Sequence, residues 1–160
     1  MQNGQSRKSK VSDLFTRASR QWASGELKSA FRLFISAAKA GDRGAQVNVG
    51  FFYDGGIGVQ KNRSKALSWY KRAYRRGDAV AANNIGTIWR DEKNSKRALY
   101  WFQQAASLGN DGSNLEIAKH YLQIERDPDK ARAYLRKVCA SDCVSEMEYR
   151  EAKRLLRKLG

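Results

Sequence analysis

The phrase "GVQKNRSKALSWYKRA", Gly58–Ala73, is written again as "RDEKNSKRALYWFQQA", Arg90–Ala105. Both carry Lys-Asn, then Lys-Ala or Arg-Ala, then a Trp beside a second aromatic, then an Ala three residues on. Anchored on the first alanine, the phrase recurs at Ala30, Ala66, Ala98 and Ala131, in steps of 36, 32 and 33 residues. Four positions later stand Phe34, Tyr70, Phe102 and Leu135, and three further on Ala37, Ala73, Ala105 and Val138. Gly41, Gly77 and Gly109 then close three of the copies, each followed by Asp42, Asp78 or Asn110. Glycine fits the left-handed cap at a helix C-terminus. A period of this length constrains the fold more than any local propensity does.

The upstream half repeats too. "AQVNVGFFY" (Ala45–Tyr53) matches "AANNIGTIW" (Ala81–Trp89) and, more weakly, "SNLEIAKHY" (Ser113–Tyr121). "FTRASRQW" (Phe15–Trp22) fits the template loosely. Each unit therefore reads as a helix, a turn, a second helix and a glycine stop. Small residues such as Gly50 and Ala66 let the two helices approach, and Tyr53 and Tyr70 fill the space between turns. One such hairpin cannot bury its apolar face alone, whereas stacked neighbours can. The last stretch, "SEMEYREAKRLLRKL", begins with Ser145 and Glu148 at capping-box spacing. It offers Met147, Leu155, Leu156 and Leu159 for packing, and reads as a capping helix over 145–159.

The unit "AQVNVGFFYDGGIGVQKNRSKALSWYKRAYRRGD" (Ala45–Asp78) resembles the Sel1-like repeat family, relatives of the tetratricopeptide repeats. It has the small-residue helix, the "YDGGIGV" loop, the Lys-Ala and Trp-Tyr helix, and the Gly-Asp close. The third unit lacks the glycine-rich loop, and the first and fourth are degenerate. The resemblance implies an all-α fold: a right-handed α-solenoid of about four helix-turn-helix repeats, at about 13–42, 45–78, 81–110 and 113–140, with the capping helix after them. Residues 11–160 read as one domain and residues 1–10 as a flexible basic tail.

The repeated residues are structural, so function must sit where the repeats differ. In the resembled families the first helices line a concave groove. That facing implies Thr16, Arg20 and Ala23 in the first unit, and Val47, Phe51 and Asp54 in the second. It implies Asn83, Thr87 and Arg90 in the third, and Leu115, Lys119 and Leu122 in the fourth. For Phe51 the competing reading is packing against a neighbouring helix.

A second surface is basic. Lys28, Arg32, Lys39 and Arg43 recur at intervals of four, seven and four, so they share a face. "KRAYRR" adds Lys71, Arg72, Arg75 and Arg76. A charge run is usually a solvated face. Here acidic partners are scarce, and the cations repel one another. Lys and Arg number 31 against 16 Asp and Glu, a net charge of +15. Residues 1–78 hold sixteen of those bases and only five of the acids, +11 of the total.

Apolar residues at 41% and aromatics at 11% are enough for a core and argue against disorder. A single proline permits long helices. No stretch has the length and apolarity of a membrane span. "MQNGQSRKSK" is followed by no apolar run and does not read as a secretory signal, so the expected location is cytoplasmic. Catalysis finds little support. His120, the one histidine, stands where the other units have Phe52 and Ile88, a packing position. "DGGIGV" lacks the Lys-Ser/Thr of a phosphate loop. Nucleophile triads and metal-ligand spacings are missing, and the chain reads as a non-enzyme without a cofactor. Cys139 and Cys143 read as buried free thiols, with a local disulfide as the alternative.

Two functions from different classes follow. The first is a protein-interaction module for an acidic partner, an adaptor or, as the resemblance suggests for short bacterial members, an immunity protein against a toxin. The second is a basic helical-repeat protein that binds nucleic acid, whose affinity would fall steeply with salt.

Overall fold

The computed structural model describes residues 2–160, with side chains from Ser9 onward. The tail expected at residues 1–10 lies, but for its last two positions, outside those side chains. Nine α-helices follow in order among the described residues: α1 Gln2–Ala23, α2 Leu27–Lys39, α3 Arg43–Gly55, α4 Arg63–Tyr74, α5 Ala79–Asp91, α6 Ser95–Ser107, α7 Ser113–His120, α8 Pro128–Ala140 and α9 Glu146–Lys158. A π-helical turn, Tyr121–Glu125, extends α7. No strand occurs among the described residues. The all-α class of stacked helix-turn-helix hairpins is what the fold shows.

Capping explains why the helices begin and end where they do. At the close of α2 the Asp42 amide donates to the Ala37 carbonyl at 3.0 Å and the Gly41 amide to Ala38 at 3.1 Å. This is the Schellman pairing, and it needs the φ of +100° that Gly41 supplies. Asp42 then caps the next helix, its carboxylate accepting from the Ala45 amide at 2.7 Å. Gly109 and Asn110 repeat the device, with Asn110 accepting from the Ser113 amide at 3.0 Å. Asp78 accepts from the Ala81 amide at 2.9 Å to begin α5. The asparagine of the repeated Lys-Asn has the same duty at second helices. Asn62 accepts from the Lys65 amide at 2.9 Å and Asn94 from Arg97 at 3.2 Å. Asp127 replaces it before α8, accepting from Lys130 at 3.0 Å.

Within each hairpin a small residue faces a ring. A Cβ added at Gly50 would sit 2.5 Å from Cε1 of Tyr70, and one at Gly86 2.7 Å from Cδ1 of Phe102. Tyr70 and Phe102 are buried and have nowhere to go. The fourth hairpin carries Ala118 and Leu135 instead, packed in one cluster. A smaller partner leaves room for the methyl.

The sequence reads as one domain over 11–160, and the packing gathers into two compact units, Met1–Arg76 and Gly77–Gly160. The first unit holds α1–α4. Its core is aromatic: Phe34 lies 5.6 Å from Phe15, 6.0 Å from Trp22 and 5.7 Å from Phe52, ring centre to ring centre. The second unit holds α5–α9 and two apolar clusters. One gathers Ala98, Phe102, Ile117, Tyr121 and Ala131, the other Leu115, Ala118, Leu135, Val138 and Ala152.

Helix α9 begins with the box that Ser145 and Glu148 announce. The Ser145 hydroxyl accepts from the Glu148 amide, and the Glu148 carboxylate accepts from the Ser145 amide at 2.7 Å. It packs through Ala152, Leu155, Leu156 and Leu159. Met147 does not pack, contrary to expectation, and is 76% exposed. It lies about 140° around the helix from Ala152, on the face turned to solvent.

Candidate functional site

The basic surface of the first unit is built by helix spacing. Lys28, Arg32 and Lys39 are all exposed, opposite the buried Ala30, Phe34 and Ala37 of α2. Lys71 and Arg75 project from α4, away from Ala66, Tyr70 and Ala73. No carboxylate among the described residues lies within 4.0 Å of these five amines and guanidiniums. The other three basic residues have local work. Arg76 donates to the Gly41 carbonyl through a short hydrogen bond, and Nη1 of Arg43 donates to the Arg76 carbonyl at 3.2 Å. The first bond ties the end of α4 to the end of α2, and the second ties it to the start of α3. Arg43 opens α3, because the chain breaks at Gly41 and Asp42, and so does not continue the α2 face of Lys28, Arg32 and Lys39 as the spacing implied. The Arg72 guanidinium covers the Trp69 ring at 4.5 Å.

The unit has sixteen bases and four acids. Three of the four acids are engaged elsewhere. Asp13 faces Arg17 at 3.6 Å, Asp54 faces Arg63 at 3.7 Å, and Asp42 caps α3. The basic face thus carries a surplus that its own fold does not neutralise.

On the first-helix face of the same unit, Thr16, Arg20 and Ala23 are exposed, and Val47 and Asp54 are half-buried. Phe51 packs against a ring of a neighbouring helix without being covered by it. Its ring centre lies 5.8 Å from that of Trp22, and the residue is still 42% exposed.

In the second unit the expected residues are tied to one another. Arg90 Nη1 donates to Glu116 Oε2 at 2.7 Å, and its Nη2 reaches Asp91 at 3.3 Å. Lys119 Nζ reaches the other Glu116 oxygen at 3.1 Å and Glu151 on α9 at 3.3 Å. Burial pushes the Glu116 carboxyl up, but the bonds from Arg90 and Lys119 outweigh it and hold the group below its ordinary 4.5. Asn83 accepts from the Ser113 hydroxyl at 2.9 Å, which joins α5 to α7. Thr87 and Leu122 are half-buried. Leu115 is not a surface residue: it is 3% exposed, because α8 and α9 cover that face of α7.

A cleft of about 450 Å³ opens beside this ion network. Ala98, Leu99, Phe102 and Ile124 give it an apolar floor, and Arg90, Lys93, Lys119 and His120 stand around it. Sequence reasoning missed Leu99, Glu116 and Ile124. The signal was the register itself: His120 stands where Phe52 stands, and Leu99 where Phe31 stands.

His120 is packed as its position predicts, its side chain 10% exposed, with Nε2 3.2 Å from Glu125. Among the described residues no group of three His, Cys, Asp or Glu side chains comes together as a metal site would need. Both cysteines are free. Cys139 is half-buried, but Cys143 is exposed and corrects the expectation of two buried thiols. It lies in the turn beyond α8, its amide donating to the Ser141 hydroxyl at 3.0 Å. No described helix is long and apolar enough to cross a membrane.

Stacked helical hairpins with small-residue seams and Gly-Asp joints define the class of α-solenoid repeat proteins. Within it, the chain belongs to the Sel1 repeat family, a family of protein-interaction modules. The Sel1 repeat model matches residues 26–42, 44–78, 80–110 and 118–143. Over 87 residues the chain is 32% identical to a sel1-like repeat-containing protein of Acanthamoeba polyphaga mimivirus, covering 54% of this chain and 16% of that protein. Among solved structures it is similar to a Sel1 repeat protein from Oxalobacter formigenes, with a TM-score of 0.67 and 29% identity over 82% of this chain and 53% of that one. A tetratricopeptide repeat protein from Parabacteroides merdae has the same fold, with a TM-score of 0.68 and 15% identity over 93% of this chain and 59% of that one. The chain spans about half the length of the Oxalobacter protein and about a sixth of the viral one.

Proposed function

We propose that this chain is a non-enzymatic interaction module that binds an acidic protein through the basic face of its first unit, with the first-helix residues Arg20 and Phe51, exposed, and Val47 and Asp54, half-buried, as a second contact. The observation that carries the reading is the set of five exposed cations, Lys28, Arg32, Lys39, Lys71 and Arg75, with no carboxylate in ion-pair reach among the described residues. In the second unit, by contrast, Arg90 and Lys119 are paired with Glu116. Like charges held on rigid helices repel one another, and an acidic surface relieves that repulsion while steering encounter. Neutralising a toxin is one form of this role, and adapting one protein to another is the second. The partner's identity decides between them.

The test is capture of partners on the tagged chain from its own cells, with nuclease treatment and mass spectrometry. A triple reversal, Lys28→Glu with Arg32→Glu and Lys71→Glu, runs beside it. The expected result is one acidic protein in stoichiometric amount, resistant to nuclease and absent from the reversal variant. Recovery of nucleic acid alone, or equal recovery by the variant, refutes the reading.

A further inference from the structure

The two units fill matching seams differently. In the first unit, α2 meets α3 across a wall of rings. Phe31 stacks on Phe52 at 6.0 Å, and Trp22 lies 5.2 Å from Phe52 and 5.8 Å from Phe51. The glycine-rich loop folds back over the end of this seam. Gly58 lies so close to Leu27 that an added Cβ would sit 2.7 Å from the Leu27 carbonyl carbon. The loop's own Ile57 and Val59 are half-buried, with the Ile57 side chain beside Gly55.

In the second unit the matching seam lies between α6 and α7. By the repeat register, Leu99 replaces Phe31, Lys119 replaces Phe51, His120 replaces Phe52 and Ser95 replaces Leu27. The loop that follows is three residues shorter: thirteen positions separate Tyr53 from Ala66, but ten separate Tyr121 from Ala131. Smaller side chains and a shorter loop leave the cleft of about 450 Å³, within the usual range of a ligand site. Ile124 at its edge is 57% exposed. Arg90 and Lys119 are occupied by Glu116, whereas Lys93 has no carboxylate in ion-pair reach among the described residues.

We propose that this cleft binds a short extended segment of a partner protein, which seats an aliphatic side chain on Leu99 and Ile124 and sets a nearby carboxylate against Lys93. The segment covers the seam of the second unit in trans, as the loop at Gly58 covers the Leu27 end of the first unit's seam in cis. The cleft is a different surface in a different unit from the basic face, so either assignment stands or falls without the other.

The probe is acetyl-Glu-Gly-Ile-Gly-Val-Glu-amide, titrated into the full-length ¹⁵N-labelled chain. The expected result is saturable movement of the amides around Leu99, Lys119 and Ile124, with a Kd of about 1 mM, as suits so small a ligand. Leu99→Phe, which restores the ring of the first unit, should weaken binding at least roughly tenfold by filling the cleft. Lys93→Glu should lower affinity for this peptide and raise it for the version with Lys in place of both Glu. The proposal is overturned if those amides stay still at about 10 mM peptide. Equal movement with the Lys-flanked peptide, or with Ala in place of Ile and Val, also overturns it. Should Leu99→Phe fail to give a native spectrum, the exposed Lys93→Glu variant decides alone: unchanged preference refutes the carboxylate contact.

Discussion

Gly86 and Phe102 act as one part. A methyl at Gly86 would press into a ring that is 2% exposed and walled in. Gly86→Ala should therefore cost about 1–3 kcal/mol in chemical denaturation, the usual cost of overpacking. Adding Phe102→Leu, which copies the Ala118 and Leu135 pair, should return part of that loss, so the double mutant falls short of the sum of the singles. Strict additivity would show that the two side chains do not compete for the same space. Glu116 sets a second expectation. Its folded carboxyl titrates below the ordinary 4.5. The stabilisation is therefore fully present above pH 4.5 and is lost as pH falls through the folded value. Glu116→Gln should flatten this part of the acid unfolding curve. It should also lower stability at pH 7, because Arg90 and Lys119 lose the carboxylate they share. An acid limb identical to that of the parent protein would remove Glu116 from the account.

Helices α3, α4, α5, α6 and α8 each begin at a capping side chain that can be changed alone. Asn94→Ala removes the acceptor for the Arg97 amide and should cost about 1 kcal/mol, with amide exchange rising first in the opening turn of α6. Unchanged exchange there would mean that water replaces the cap without loss. At this scale the sequence was readable where a residue has one conformational use. The glycines and their Asp or Asn neighbours mark helix joints openly. The asparagine of Lys-Asn was visible as part of the phrase but not as a cap. Leu115 is buried among Leu135, Val138 and Ala152, because the facing carried over from the family resemblance does not say which side of α7 the expected capping helix covers. The π-helical turn at Tyr121–Glu125 left no mark in the apolar pattern. The cleft was hidden for another reason. It is a volume left by several replacements on two helices, and only the packed fold adds those replacements together.

Charge divides unequally over the whole molecule. The first unit has sixteen bases and four acids, and the second has fifteen and twelve. Self-repulsion should weaken the first unit more, and salt should relieve it. Raising ionic strength from about 0.01 to about 0.15 M shortens the screening length from roughly 30 to roughly 8 Å. Amide exchange protection in α2 and α4 should rise across that range, while α5–α8, held partly by ion pairs, should gain less or lose. A uniform response would show that the surplus is too well solvated to strain the fold.

The Gly-Asp joints divide the chain into two kinds of seam. From Ala37 to Ala45, from Ala73 to Ala81 and from Ala105 to Ser113 the count is always eight residues. From Tyr53 to Ala66, Trp89 to Ala98 and Tyr121 to Ala131 it is thirteen, nine and ten. In the first kind, one residue ends a helix and the next begins another, and an added residue would turn everything downstream by about 100°. The second kind absorbs insertions without disturbing the stack. New loops, and the new surfaces they cover or leave bare, can therefore arise at every other corner of such a chain while the corners between them keep count.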